Sequence, residues 1–260
     1  MERFEVDGVA LHGRRDGVVR FGFTERIGGV SRAPYASLNL GSHVGDDLAA
    51  VQENRRRALA ALGCDQDLDR LLVPNQIHGD HVAVVRSNAP DELARVRAEI
   101  AAGADAIVCT VPHVPVLLCF ADCVPVVLTC DDAFAVVHSG WKGTYARIAA
   151  MAARVLLRET GDAPDRLRAY IGPHILGDEY EVSADLFMMF SEQFDNIKVS
   201  VHRMLDLSAC IRQSLEEVGV FPCEIHDPQL STVRQNAQFF SYRAEKGLCG
   251  RHGAIACVCS

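Results

Sequence analysis

Four apolar segments follow one another closely in the middle of the chain, between residues 104 and 140. They read ADAIVCT, VPVLLCFAD, CVPVVLTC and AFAVVHSG. Short runs rich in β-branched residues and bounded by turn residues are typical of buried strands. Helical segments surround this cluster without a regular alternation of strand and helix. The arrangement therefore favours an α+β architecture over a doubly wound parallel sheet.

Helical and strand patterns on both sides of the cluster predict further elements. One helix is expected over residues 46–62, with Asp46 or Asp47 as its N-cap and an end at Gly63. A second helix is expected over residues 144–160, where apolar residues recur at helical spacing. The C-terminal segment predicts a closing hairpin, and it reads QFFSYRAEKGLCGRHGAIACV.

Length and charge limit the domain count and the possible partners. The chain has 260 residues and shows no low-complexity linker, so we expect one domain over residues 1–260. Its formal net charge is -8, with acidic and basic residues mixed along the sequence. A nucleic-acid-binding protein would show a basic face instead, so we expect no nucleic-acid partner.

The sequence points to a cytoplasmic protein without a membrane span. Charged residues near the start leave no apolar core for a signal peptide. The longest apolar stretch, residues 111–130, is interrupted by three prolines, a histidine and an aspartate, which argues against a membrane helix. Ten cysteines without a secretion signal indicate free thiols in a reducing compartment. The oligomeric state stays open between a monomer and a small homo-oligomer.

Three polar residues interrupt apolar strand ends in similar surroundings. They are His78 in NQIHGDH, Cys123 in FADCVP and His138 in VVHSGWKG. Two imidazoles and a thiolate form a three-ligand set for zinc that leaves one position open, as catalytic zinc sites do. The spacing matches no local metal motif, so a hydrogen-bonded role for each histidine remains an alternative.

The C-terminal cysteines are a weaker candidate for a metal site. Cys257 and Cys259 are two residues apart, and Cys249 precedes them. The alternation in GAIACVCS is explained more simply by a terminal strand.

An ordered set of short motifs closely resembles the laccase-domain family, whose members are also called multicopper polyphenol oxidases and purine nucleoside phosphorylases. The set runs across nearly the whole chain and comprises TERIGGVSRAPYASLNLGSHVGDD, NQIHGDH, GADAIV, FADCVPVVL, VVHSGWKGT, YIGPHI with YEV, and FFSYR. The resemblance implies an α/β/β/α layered sandwich with mixed sheets. It also implies that His78, Cys123 and His138 are the metal ligands.

The activity implied by this resemblance is phosphorolysis of adenosine, inosine and methylthioadenosine, with deamination of adenosine at the same zinc centre. Purine nucleosides and phosphate would then be the small-molecule partners. Two departures from the family pattern affect the site. Ser139 stands where alanine is usual, and HDPQLSTVRQ lacks the common Cys-Thr pair.

Phosphorolysis requires cationic groups that gather phosphate beside the ribose. The candidates are Arg26, Lys142 and Arg243, and a solvated loop position is the alternative for each. His43 is a candidate for substrate contact or proton transfer. Asp122 is expected to support the Cys123 turn rather than to bind metal. For Trp141, stacking on a base and a place in the core or a lid are both open.

Three other functions are alternatives to the purine nucleoside phosphorylase hypothesis. Copper also accepts His and Cys ligands, so a copper polyphenol oxidase is possible, although the chain has no H-x-H pair. A cysteine hydrolase would use Cys123 as nucleophile and His138 as base. A non-catalytic factor, for example in cell-wall precursor quality control, is the third alternative.

Overall fold

A computed structural model describes residues 1–197 and 202–259. The strands are β1 Glu2–Val6, β2 Val9–Arg14, β3 Val19–Thr24, β4 Val82–Val85, β5 Ala106–Cys109, β6 Val116–Phe120, β7 Val124–Thr129, β8 Phe134–Ser139, β9 Arg168–Ile171, β10 Ile225–His226 and β11 His252–Val258. The α-helices are α1 Leu48–Leu62, α2 Pro90–Ala102, α3 Trp141–Tyr145, α4 Ile148–Thr160, α5 Ala184–Gln193 and α6 Leu207–Glu216. The four central apolar segments form β5 to β8, as predicted.

The strands form two sheets. Sheet A has the order β1-β2-β3-β11-β6, and all its pairs are antiparallel. Sheet B has the order β10-β9-β7-β8-β5-β4. Its two edge pairs, β10 with β9 and β4 with β5, are parallel, whereas the inner pairs are antiparallel. Sheet B is therefore mixed.

Three apolar clusters separate the layers. One lies between α1 and the outer face of sheet A and includes Leu59 and Ile255. A second lies between the two sheets and includes Phe23 and Val136. The third lies between sheet B and the helices α4 to α6, and Leu156 belongs to it. Alternate residues of a strand point to opposite faces, so each central strand contributes to two clusters. The α+β fold and its α/β/β/α layering are confirmed.

Helix α1 begins and ends close to its predicted limits. The Asp47 carboxylate accepts a hydrogen bond from the Ala49 amide at 3.1 Å, and Gly63 closes the helix in the left-handed conformation at φ 76°. Asp46 has another role, because its carboxylate accepts hydrogen bonds from Ser31 Oγ and Asn39 Nδ2. Among the helices that the structure describes, none is long and apolar enough to cross a membrane.

Two sequence predictions about local structure are wrong. The expected helix over 144–160 is divided, because Arg147 adopts the left-handed φ of 61° between α3 and α4. The expected C-terminal hairpin does not form. Residues before β11 make turns, and β11 pairs instead with β3 and β6. These partners are distant in sequence, and a local pattern carries no information about them.

The two sheets approach each other so closely at Gly172 that any larger residue there should destabilise the fold. A Cβ at this position would lie 2.3 Å from Cδ1 of the buried Phe23 ring. Gly172→Ala should therefore reduce the free energy of unfolding by about 1–3 kcal/mol in a urea titration. In a Phe23→Leu background the same change should cost less, because the obstructing ring is gone. An equal cost in both backgrounds would contradict this packing.

Candidate metal centre and active site

His78, Cys123 and His138 come together although they are far apart in sequence. Their ligand atoms all lie within 4.8 Å of one another, and the two imidazole centroids are 4.8 Å apart. Cys123 directly precedes β7 and His138 lies near the end of β8. These strands are antiparallel with Pro125 opposite His138, which brings the two side chains to one edge of sheet B. His78 reaches the same edge from the loop before β4.

The fully buried carboxylate of Asp105 organises the His78 loop. It accepts hydrogen bonds from the backbone amides of Ile77, His78 and Gly79 at 3.2, 3.0 and 2.7 Å. These bonds hold a turn in which His78 has the left-handed φ of 58°. Such a conformation is unfavourable for a residue with a Cβ and needs support of this kind.

The same carboxylate also orients His138. Nδ1 of His138 donates to Asp105 Oδ1 at 2.7 Å, and the His138 amide donates to the Asp105 carbonyl at 2.7 Å. A carboxylate on one ring nitrogen fixes the tautomer and presents the other nitrogen as a metal ligand. Sequence analysis missed Asp105. It is a polar residue at a strand end, which is the signal that identified the three ligands.

The electrostatics of the cluster favour a thiolate. Burial opposes ionisation of Cys123, but the charges and hydrogen bonds of His138 and His78 lower its thiol pKa to about 6. Burial likewise opposes protonation of His138, but Cys123 and Asp105 raise its pKa to about 9. Burial also works against the charge on Asp105, yet its hydrogen bonds with His138, Gly79 and Ile77 lower the carboxyl pKa. Without a metal the group therefore holds a thiolate beside a protonated His138, which must release a proton before its second ring nitrogen can bind a metal ion.

The donor set and the space around it fit a metal ion. A Cβ at Gly140 would lie 3.0 Å from Cδ2 of His78 and 3.2 Å from Sγ of Cys123. Glycine at this position thus lets the three ligand side chains approach one another. Sulfur and imidazole ligands suit zinc and also copper, so the ligand set does not distinguish the two metals.

Asp122 supports the Cys123 turn from the other side. Its carboxylate accepts hydrogen bonds from Thr232 Oγ1 at 2.6 Å, Ser241 Oγ at 2.7 Å and the Arg243 amide at 2.6 Å. It does not belong to the ligand group. These contacts join the turn that carries Cys123 to the segment that carries Arg243.

Both departures from the family pattern lie close to the residues of the cluster. Ser139 Oγ and Thr144 Oγ1 share a hydrogen bond at 2.8 Å between the end of β8 and α3. In HDPQLSTVRQ, Ser231 precedes Thr232, whose hydroxyl binds Asp122.

The three ligands lie in a cavity of about 470 Å³. This volume is in the range of small-molecule sites. His43 and Arg243, both candidates from sequence, line the same cavity. Sequence analysis missed four further polar lining residues, namely Gln76, Tyr180, Tyr242 and Arg251. Burial, followed by the nearby charges of Arg251 and Arg55, lowers the pKa of His43, so its imidazole is neutral at pH 7.

The structure does not bring Arg26, Lys142 or Trp141 into this cavity. Arg26 forms a two-bond ion pair with Glu245, at 3.1 Å for each bond. The Lys142 ammonium lies 5.5 Å from the Trp141 ring centroid. Trp141 packs against the apolar cluster between sheet B and the helices α4 to α6. The geometry does not favour the phosphate role predicted for Arg26 and Lys142.

Two arginines in the cavity have their charge available. Arg243 lies over the Tyr180 ring, with Cζ 5.4 Å from its centroid. Arg251 Nη1 donates to the carbonyl oxygens of Cys249 and Gly250, each at 2.9 Å. Within the described residues, neither guanidinium forms an ion pair with a carboxylate. Arg251 was overlooked because the hairpin prediction placed it away from β6, whereas His252 pairs with Phe120.

The family model described as multi-copper polyphenol oxidoreductase laccase matches residues 20–259. The chain belongs to this family. The resemblance inferred from its motifs is thus confirmed.

Its relatives cover almost the whole chain. A protein of Deinococcus radiodurans named purine nucleoside phosphorylase is 37% identical, over 90% of this chain and 87% of its own length. A protein of Streptomyces coelicolor with the same name is 36% identical, over 90% and 94%. The crystal structure of YlmD from Geobacillus stearothermophilus matches with a TM-score of 0.85 and 27% identity, covering 99% and 98% of the two chains.

The Asp105–His138 contact predicts a specific loss of metal affinity. Asp105→Asn keeps the size of the side chain but removes the charge that orients His138. Loss of such a partner lowers metal affinity by about 10- to 100-fold. The measurement is a competition titration of zinc against a chromogenic chelator. Asp47→Asn, which alters an exposed helix cap, serves as the matched control. Unchanged affinity in folded Asp105→Asn protein would contradict the proposed orientation.

Proposed function

We propose that the chain is a zinc-dependent purine nucleoside phosphorylase that cleaves adenosine, inosine and methylthioadenosine, and that it also deaminates adenosine. The observation that carries this proposal is one cavity that contains both the His78, Cys123 and His138 cluster and two arginines, which form no ion pair with a carboxylate of the described residues. The names of the relatives from Deinococcus and Streptomyces support the phosphorylase activity. The ten free thiols support a location in the reducing cytoplasm.

The cavity offers the surfaces that a nucleoside needs. Aromatic rings of Phe120, Tyr180 and Tyr242 supply flat apolar area for a purine. His43 supplies a hydrogen-bonding group in the same cavity, whereas the Gln76 amide there is already paired with the backbone of Cys119. A few polar groups in a largely apolar cleft are typical of small-molecule sites.

Phosphate is assigned to Arg243 and Arg251. Each guanidinium can form two parallel hydrogen bonds with phosphate oxygens. Arg243 is placed through its backbone amide, which donates to the half-buried carboxylate of Asp122. Arg251 is placed through the carbonyl oxygens of Cys249 and Gly250. The proposed phosphate would therefore lie between two segments of fixed backbone.

In phosphorolysis, a phosphate oxygen forms a bond to C1′ while the C1′–N bond to the purine breaks. The electron pair of the broken bond goes to the purine, which takes up a proton from water. In this proposal neutral His43 donates a hydrogen bond to the purine, and the two arginines that line the same cavity hold the anionic nucleophile beside C1′. A bound metal ion would supply Lewis acidity and activate water for deamination.

The phosphate assignment makes a distinct kinetic prediction. Arg251→Gln should raise the KM for phosphate by roughly 10- to 100-fold, because a charge-assisted contact is worth about 1.5–3 kcal/mol. Deamination of adenosine, which uses no phosphate, should be spared. The assay separates nucleoside, free base and deaminated product by chromatography at several phosphate concentrations. Arg154→Gln, on the exposed side of α4, is the matched control.

The same assay distinguishes the two sets of candidate residues. Arg26→Gln and Lys142→Gln should change the KM for phosphate far less than Arg251→Gln does. A large effect from either, together with none from Arg251→Gln, would contradict the assignment. An absence of turnover in metal-loaded protein would favour a non-catalytic role.

One observation favours a second function, that of a cysteine hydrolase. Cys123, His138 and Asp105 form an ordered series of nucleophile, base and orienting carboxylate. His78 separates the two hypotheses, since a hydrolase of this type does not need it as a ligand.

His78→Ala should therefore abolish deamination as completely as Cys123→Ala does, because a metal site with one ligand missing binds weakly and positions water poorly. A strong chelator should reproduce the loss in the unmodified protein. Iodoacetamide should alkylate Cys123 slowly with metal bound and faster after its removal. His81→Ala, an exposed histidine paired with Glu99, is the control. Chelator-resistant turnover with rapid alkylation of Cys123 would favour the hydrolase instead. Metal analysis distinguishes zinc from the copper of a polyphenol oxidase.

A further inference from the structure

A second group of convergent thiols lies outside the cavity, on the α1 side of sheet A. Cys257 and Cys259 are two residues apart at the end of the chain, so their side chains share one face. Cys64 follows the glycine that ends α1 and meets them there. All three are buried in the apolar cluster between α1 and the sheet. Cys249, the third member suggested by sequence spacing, lies instead against Arg251.

The sulfur atoms are already close to the separations of a metal–thiolate site. All three lie within 4.8 Å of one another, and Sγ of Cys64 is 3.3 Å from Sγ of Cys259. Metal–sulfur bonds of about 2.3 Å give sulfur–sulfur separations of roughly 3.8–4.0 Å. Small side-chain rotations would therefore bring the three sulfurs around one ion.

Arg20 supplies a compensating positive charge. It is the cross-strand neighbour of Cys257 in the β3–β11 pair. Its Nη1 donates to the Gly63 carbonyl at 3.0 Å, and its buried Nε has no hydrogen-bond partner among the described residues. A hydrogen bond from Cys257 lowers the pKa of Cys64 despite burial, and the charge of Arg20 acts in the same direction. The hydrogen bond with Cys64 and burial raise the pKa of Cys257, and burial together with the contact with Cys64 raises that of Cys259. Cys64 is therefore the first of the three thiols to ionise, and the other two release their protons only on binding a cation.

We propose that Cys64, Cys257 and Cys259 bind one thiophilic d10 cation, Zn²⁺ or Cu⁺, at a site separate from the catalytic centre. Thiolate ligands select these two ions over harder metals. Binding releases the thiol protons to solvent. Three thiolates match the low coordination number of Cu⁺, whereas the charge of Zn²⁺ together with Arg20 balances three thiolates. A disulfide between Cys64 and Cys259 would use only two of the sulfurs and leave Cys257 without a function.

The test uses Cys123→Ala protein, in which the catalytic ligand set is broken. It is incubated with Zn²⁺, or with Cu⁺ under anaerobic reducing conditions, and passed through a desalting column. We expect about one equivalent of metal per chain to remain. The ion retained more tightly in competition identifies which cation the site takes. Adding Cys257→Ser should remove this equivalent, whereas adding Cys109→Ser, a buried thiol in another layer, should not.

Thermal unfolding provides a second measurement. Each protein is compared with itself, with and without added cation, so a difference in stability between variants does not affect the result. Metal bound only by the folded state raises the midpoint, so the Tm of Cys123→Ala protein should rise with added cation. Adding either Cys64→Ser or Cys259→Ser to the Cys123→Ala protein should abolish that rise. The proposal is contradicted if Cys123→Ala protein retains no metal and shows no shift. It is also contradicted if protein purified under reducing conditions contains a Cys64–Cys259 disulfide.

Discussion

One buried carboxylate, that of Asp105, holds together the parts of the site that come from different regions of the chain. An isolated buried carboxylate would cost several kcal/mol of stability. Asp105 avoids this cost because three backbone amides and the His138 imidazole donate hydrogen bonds to it. The residue stands directly before β5, which pairs with β4 and β8 in the interior of sheet B. The packing of the sheet thereby fixes the positions of His78 and His138 together.

The cavity depends on both sheets of the sandwich. Sheet B supplies the ligand cluster, with Cys123 before β7 and His138 in β8. Sheet A supplies Arg251, directly before β11, next to the end of β6. Asp122 lies in the turn between β6 and β7, and its carboxylate accepts hydrogen bonds from Thr232, Ser241 and the backbone of Arg243. The ligand cluster and Arg251 are thus positioned by different sheets.

Sequence alone predicted the parts of the fold and site that rest on local patterns. The apolar runs of β5 to β8, the cap of α1 and the polar residues at strand ends are local features, and the three cluster residues were found among them. The pairing of β11 with β3 and β6 is non-local, so a hairpin was predicted there and Arg251 was missed. Arg26 looked like a phosphate ligand because its partner Glu245 is more than two hundred residues away. The Cys64 cluster was missed for the same reason.

The most direct test of this account is X-ray absorption at the zinc edge of reconstituted protein. The Cys257→Ser variant should be used, so that the thiol cluster on the α1 side does not contribute. The ion should be surrounded by one sulfur at about 2.3 Å, from Cys123, and by two imidazole nitrogens at about 2.0–2.1 Å, from His78 and His138. A shell of oxygen atoms alone, or a shell with several sulfurs and no imidazole, would show that His78, Cys123 and His138 do not hold the metal.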